Sequence, residues 1–486
     1  MTVEHTDVVI VGAGLSGIGA AYHLTEKCPD QQFLILESRN AIGGTWDLFR
    51  YPGIRSDSDM HTLGYSFKPW KSAKAIADGP SILRYVKETA AENHIDEKIR
   101  YSHKLTAANW DSDSSRWTLT VAQTDTGNSV QISCNFLYMC AGYYNYNQPH
   151  EPELPQLDNF KGTVVHPQFW PKDLDYENKK VVVIGSGATA VTLVPSMADK
   201  AAKVTMLQRS PTYIISRPSE DWFANGMRAL LPHKLAYAIT RFRNTRFQEW
   251  IYKRTRRNPA RIKKILLDAV RKELGADFDV DKHFTPKYNP WDQRLCLVPD
   301  SDLFAALKNG SADVVTDHIE TFTDSGIQLK SGDQLDADII VTATGLQLVL
   351  MGGAAISIDG EAADFSKLWT YKGLMNSDIP NMVATFGYIN ASWTLRADLT
   401  AEWVCRLLNH MRETNTSMVV PKVSAELHNM PQRDWIADFP AGYMTRVMHL
   451  FPKQGDREPW INTQDFRRDR KLFNQPFDQD QSLFFS

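Results

Sequence analysis

Apolar runs that break on a glycine-rich turn occur twice in this chain. DVVIVGAGLSGIGAAYHL (Asp7 to Leu24) reads as a buried strand, a turn and a helix, and KKVVVIGSGATAVTLV (Lys179 to Val194) repeats that order. Near-continuous apolar strands alternating with helical patterns predict parallel sheets covered on both faces. Two further runs, FLYMCAGYYN (Phe136 to Asn145) and ADIIVTATGLQ (Ala337 to Gln347), end on a small residue and a glycine. Such turns are expected where a chain passes between two domains. Between Tyr213 and Leu274 the pattern becomes helical, amphipathic and basic, which predicts a helical insertion. The later stretch IPNMVATFGYINASWTLRADLTAEWVCRLLNHM reads as a strand, a turn and a long helix from about Ser392.

The turns carry specific chemistry. In Gly12-x-Gly14-x-x-Gly17 the first glycine permits a tight turn and the second lets the backbone approach a pyrophosphate. The third lets the helix pack close to the strand, with its N-terminus toward the phosphates. The next strand, FLILE, ends in Glu37, an acceptor for a ribose hydroxyl. The second turn is Gly185-x-Gly187-x-x-Ala190, and its second strand ends in Gln208-Arg209. Loss of the acid and gain of an arginine favour a phosphorylated ribose. The first unit therefore reads as an FAD site and the second as an NADPH site. A helix N-terminus near Ser392 could face the flavin ring or its phosphates.

The expected fold is α/β, with two Rossmann-like dinucleotide-binding domains and a helical insertion in the NADP domain. The expected limits are 1–148 for the first part of the FAD domain and 149–212 for the first part of the NADP domain. The insertion covers 213–284, the NADP domain resumes over 285–345, and 346–486 returns to the FAD domain and ends the chain.

Composition changes this picture little. The 486 residues are 43% hydrophobic and 23% charged, and the net charge of −3 argues against nucleic acid as a partner. No apolar run reaches the ~18 residues of a spanning helix. A strand already begins at Asp7, so no leader is expected. Five scattered cysteines suggest a reducing cytoplasm. Residues 217–272 hold 15 Lys or Arg against four Asp or Glu. That stretch reads as a solvated helical face, with weak peripheral contact to anionic lipid as the alternative.

GGTWDLFRYPGIRSD, the two turns and FKGTVVHPQFWP together resemble the flavin-dependent Baeyer–Villiger monooxygenases, over essentially the whole chain. Phe160, Gly162, His166, Trp170 and Pro171 match that family's fingerprint at every fixed position. Related N- and S-oxygenating enzymes have Tyr or Phe where Trp170-Pro171 stands. The resemblance implies that the segment connects the FAD and NADP domains. Its histidine then couples domain movement to cofactor position and does not contact substrate. By itself His166 reads as a buried, hydrogen-bonded histidine.

A reduced flavin can reduce a disulfide, pass on electrons or react with dioxygen. Cys134 and Cys140 are too far apart along one extended strand to pair. Oxygen chemistry calls for a fixed cation, and Arg50, Arg55 and Arg294 are candidates. Asp57 and Asp59 offer the carboxylate that would orient it, although helix capping is an alternative role for Asp57. The resemblance assigns Arg294 as the catalytic arginine, Asp57 as its partner, and Gly43, Gly44, Thr45 and Trp46 as neighbours of the flavin. It also implies NADPH- and dioxygen-dependent conversion of ketones to esters or lactones, with S-oxygenation of sulfides or thioamides. One departure is Gln293, where many relatives have lysine. More of the NADPH preference then falls on Arg209, Thr189 and Ser210. Rival readings are an N/S-oxygenating enzyme inactive on ketones, and an electron-transfer or binding flavoprotein. No metal site is assigned, and substrate identity and oligomeric state are not read from the sequence.

Overall fold

The computed structural model describes residues 3–293, 295–437 and 442–486. Strand Glu4–Val11 lies inside the first sheet, parallel to Phe33–Leu36 on one side and to Ser129–Met139 on the other. Val8 to Val11 are all buried, which is why the run is continuously apolar. The sheet continues antiparallel through Arg116–Gln123 and His103–Asp111, where buried and half-buried positions alternate. Late in the chain Met382–Ala384 returns to lie parallel to Ser129–Met139. Before it in the chain, Ala355–Ile358 pairs parallel with His103–Asp111 of the same sheet.

The second sheet has five parallel strands in the order Ala312–Thr316, Lys203–Gln208, Lys180–Ile184, Ile339–Thr342, Thr163–Val165. The fingerprint thus does more than connect. Its Thr163–Val165 portion is itself an edge strand, in register with Ile339–Val341.

The insertion hangs from a two-stranded ribbon, Ile214–Arg217 beside Cys296–Pro299. The stretch read as helical from Tyr213 therefore opens on a strand, because Tyr213 and Ile214 are buried against long-range partners. Its helices are Trp222–Leu230, His233–Arg257 and Pro259–Leu274. Asp221 caps the first through the N–H groups of Phe223 and Ala224. Pro259 ends the second and begins the third, since proline fits only the first turn of a helix. Gly275, at φ +89°, terminates the third. Among the described residues no helix is long and apolar enough to cross a membrane.

Two chain passages join the sheets and pair with each other. The Val349 N–H donates to the Tyr143 carbonyl at 3.0 Å, and the Asn145 N–H to the Gln347 carbonyl at 2.8 Å. Gly142 and Gly345 take φ of +71° and +108° in these passages, conformations that a side chain resists.

Candidate active site

A cavity of about 1140 Å³ runs from the first glycine turn to the helical insertion. Three helices begin near its wall: Leu15–Lys27, Ala188–Ala198 and Trp393–Glu413. None has a side chain capping its first N–H groups. Uncapped helix starts concentrate N–H donors and the positive end of the dipole, so they suit anions such as pyrophosphate. The third helix starts after Ser392, as the sequence predicts, and Trp393 donates to Ser16 Oγ at 2.7 Å.

The first turn is built without spare room. A Cβ on Gly12 would lie 2.6 Å from the Cys140 carbonyl oxygen, and one on Gly17 only 1.8 Å from the Gly12 oxygen. Gly14 and Gly44 face each other, and a Cβ on Gly44 would stand 3.2 Å from the Gly14 Cα. Two bare backbones thus meet at the cavity wall. Glu37 is buried at the cavity wall and accepts from the N–H groups of Ala13 at 2.8 Å and Arg39 at 2.9 Å. Burial raises its pKa, and these hydrogen bonds oppose the rise. Gly43, Gly44, Thr45 and Trp46 line the same wall. The residues fit an adenine dinucleotide.

The second turn differs. Gly185, at φ +140°, abuts the Ala343 carbonyl, and Ala190 is fully buried, so a methyl is accommodated where the first unit needs Gly17. A Cβ on Gly187 would meet nothing within 4 Å, so the space before this helix is open. Ala188 and Thr189 line the cavity, and Thr189 bonds the buried Tyr51 hydroxyl. The Gly185 N–H donates to Leu207 as the Gly12 N–H does to Leu36. That match sets Gln208 in the place of Glu37. Gln208 is spent on the His283 carbonyl and Thr316, while the next residue, Arg209, is exposed. Among the described residues no carboxylate lies within 4.0 Å of Arg209. Ser210 is also exposed, and its carbonyl accepts from Ser186 Oγ at 3.0 Å.

Of the two candidate aspartates, Asp59 is the helix cap, bonded to the His61 and Thr62 N–H groups and to Asn244 and Gln248. Asp57 and Asp59 both line the cavity. Arg50 is off the cavity and pairs with Asp47 at 3.2 Å. Arg55 lines the cavity with Nη1 on Asp302 at 2.5 Å, while its buried Nε and Nη2 have no hydrogen-bond partner among the described residues. Arg294 lies outside the described residues.

All five cysteines are free and buried. Cys140 lines the cavity, but burial pushes its thiol up to about 12, so it stays protonated. Cys28 lies against Cys405, donating to its carbonyl at 3.5 Å, at neither glycine turn. Nothing in the spacing of these two residues along the chain points to this pair.

No fingerprint residue reaches the cavity. Phe160 is in the core, and a Cβ on Gly162 would strike the Asp338 carbonyl at 2.4 Å. Trp170 packs on the second unit's core, and Pro171 is exposed. His166 Nδ1 accepts the Gln168 N–H at 3.1 Å, and Nε2 turns toward the Gly345 backbone without hydrogen-bond geometry. Burial lowers the ring's pKa, so it is neutral at pH 7.

Residues 74–420 match the flavin-binding monooxygenase-like family, and residues 10–78 match an NAD(P)-binding Rossmann-like domain. The chain belongs to the flavin-binding monooxygenase-like family. It is 50% identical over 485 residues to the FAD-containing monooxygenase EthA of Mycobacterium tuberculosis, covering 99% of this chain and 98% of that one. A probable FAD-binding monooxygenase, AlmA of Acinetobacter baylyi, is also 50% identical, over 98% of this chain and 95% of its own. Among solved structures, an oxidized steroid monooxygenase bound to NADP aligns with TM-score 0.79 at 22% identity, covering 99% of each chain. OTEMO in complex with FAD and NADP aligns with TM-score 0.77 at 20% identity over the whole of both chains. At such identities the likeness concerns the fold, which is that of two dinucleotide-binding units. Membership of the family makes this chain a flavin monooxygenase.

Proposed function

We propose that this flavin monooxygenase is an NADPH- and dioxygen-dependent Baeyer–Villiger enzyme that converts ketones to esters or lactones and also S-oxygenates sulfides or thioamides. The observation that carries the reading is the continuity of one cavity from the Gly12–Gly14 turn, past Asp57, to the helix start at Ala188 and on to the insertion. Cofactors held by the two units can then meet in one confined space. When bound, the flavin supplies hydride acceptance from NADPH and activation of dioxygen.

The chain's own residues hold and orient. Gly12, Gly14 and Gly44 bring bare backbone to the FAD pyrophosphate, with Gly17 allowing the helix its close approach. Glu37 accepts from the ribose, and Thr45 and Trp46 flank the flavin. Gly185, Gly187 and the helix start at Ala188, packed on Ala190, receive the NADPH pyrophosphate. Arg209, with Ser210 and Thr189, favours the ribose phosphate. Arg294 supplies the fixed cation and Asp57 its orienting carboxylate. Phe160, Gly162, His166, Trp170 and Pro171 fix the passage between the domains. Five free thiols suit a reducing cytoplasm.

Mass analysis of products from a linear ketone and from a sulfide, each with NADPH and dioxygen, tests the reading. Ester from the ketone and sulfoxide from the sulfide are expected. Sulfoxide alone would make the chain an N/S-oxygenating enzyme, and NADPH consumption without either product would overturn oxygenation.

A further inference from the structure

Helix His233–Arg257 is built inside out. Its inward face carries Ala236, Tyr237, Thr240, Asn244 and Thr255, all buried, with Asn244 bonded to Asp59 and Asp221. Its outward face carries Leu235, Phe242 and Trp250, from 49% to 65% exposed, and Phe247 beside them on the helix flank is 49% exposed. In water a helix normally buries its apolar stripe and exposes the polar one. Here the sequence spends small and polar residues on the protein and presents large apolar ones to the surroundings. The neighbouring helix Trp222–Leu230 does the same at its ends, where Trp222 and Leu230 are each 81% exposed. Seven of the twelve exposed large hydrophobic residues described lie between 222 and 265.

Cations are interleaved with these apolar groups. Leu235, Phe242, Arg246, Trp250 and Arg257 recur at spacings of seven, four, four and seven, which places them along one side of the helix. The Arg246 guanidinium lies over the Phe242 ring at 5.5 Å and Arg254 over Trp250 at 5.6 Å. The helix holds eight Lys or Arg and one Glu. Such a surface repels a second copy of itself, and matches a phase that is apolar beneath an anionic skin. The patch also meets the cavity, because Trp250 and Ile265 are more than half exposed and still line its wall.

We propose that the insertion docks on an anionic lipid bilayer, with the Leu235–Trp250 face at the headgroup boundary and the cavity mouth opening toward the lipid. Apolar substrates then enter from the membrane. This second clause rests on the monooxygenase reading, while the docking itself does not.

Co-sedimentation of the FAD-loaded enzyme with phosphatidylcholine vesicles containing about one-third phosphatidylglycerol tests the docking. Binding at low salt is expected, at least tenfold weaker at about 0.5 M salt and on pure phosphatidylcholine. Leu235→Ser/Phe242→Ser should lower binding at least tenfold, since two apolar side chains leave the lipid. Neither residue lines the cavity, so NADPH oxidation with a water-soluble substrate should be unchanged. If that variant fails to fold, Arg246→Glu/Arg257→Glu should show the same loss. No binding to anionic vesicles at low salt would overturn the proposal, as would binding that neither variant weakens. Sedimentation equilibrium showing a dimer that the first variant dissociates would overturn it in favour of self-association. Because the readout is binding, its failure leaves the oxygenation chemistry standing.

Discussion

Gln168 donates its Nε2 proton to the Asn145 carbonyl at 2.9 Å, and Asn145 donates its own N–H to Gln347 at 2.8 Å. One side chain of the fingerprint segment thereby ties together both passages between the sheets. Gln168 stands at a variable position of the fingerprint, so its part is visible only in the folded chain. The adjacent His166 faces the second passage at Gly345. Together they make a buried polar clasp at the place where the two units would move relative to each other.

Breaking this clasp should uncouple the enzyme and leave it folded. Gln168→Leu removes a buried hydrogen bond, a loss of roughly 1–3 kcal/mol. Flavin content should stay near stoichiometric, while hydrogen peroxide formed per NADPH oxidised rises at least threefold. His166→Ala should behave alike. Unchanged coupling in both variants would reduce the fingerprint to a packing motif.

The two glycine turns give a contrast. Gly17→Ala drives a methyl into the Gly12 carbonyl, so it should cost more than about 3 kcal/mol and yield flavin-poor protein. Gly187→Ala meets open space and an ordinary backbone φ of −79°, so its melting temperature should barely move. It should instead raise the Michaelis constant for NADPH at least tenfold, because the methyl occupies the room left for phosphate. Thermal unfolding and cofactor titration of both variants check the pair.

What the sequence revealed depended on how local each constraint is. The turn at Gly12 is dictated within six residues by φ and close approach, so it is legible, as is the helix start at Ser392. Whether Asp57 caps a helix depends on side-chain aim, which the sequence does not show, and in the structure the cap is Asp59. The strand Thr163–Val165 depends on pairing with Ile339–Val341, far along the chain, and was missed. In helix His233–Arg257 periodicity reveals that two faces differ. It does not reveal which face turns inward, and the polar one does.

Arg209 should discriminate cofactors. It is exposed, ion-pairs with no described carboxylate, and follows the Gln208 that takes the place of Glu37. A charge-assisted fork contributes roughly 1.5–3 kcal/mol, so Arg209→Ala should raise the Michaelis constant for NADPH by about tenfold to a hundredfold. The constant for NADH should change little. Equal changes for both would remove the ribose phosphate from this residue.

Acid should destabilise the fold through buried histidines. Burial lowers the pKa of His61 and of His166 below the unfolded value of about 6.5. As pH falls past that value the unfolded chain takes up protons first. Stability present above it is then lost, at about 1.4 kcal/mol per pH unit for each ring still neutral in the fold. Melting temperatures measured from pH 7.5 down to 5 should drop, and His61→Gln should flatten the slope. An identical slope in that variant would place the acid sensitivity elsewhere.

Three arginines were candidates for the fixed cation, and position and ion pairing weigh against Arg50 and Arg55. Arg50 shares Asp47 with Arg39 and lies off the cavity. Arg55 lines the cavity, but Asp302 at 2.5 Å offsets most of its charge, so its field on a reacting anion is weak. Its Nε and Nη2, without a hydrogen-bond partner among the described residues, can still bind a ligand oxygen, a positioning task. The resemblance of the segment NPWDQRLC then leaves the cationic role to Arg294. Loss of one preorganised donor typically costs about 3–4 kcal/mol in a transition state. Arg294→Ala should keep its flavin and still oxidise NADPH, yet form ester from ketone at least a hundredfold more slowly, with hydrogen peroxide replacing the product. Arg55→Ala should hold ester formation within tenfold of the parent at saturating cofactor. Product and peroxide measured side by side decide between them. If Arg55→Ala loses the ester and Arg294→Ala keeps it, the roles are exchanged, and the Asp302 pair must open when the cofactors bind.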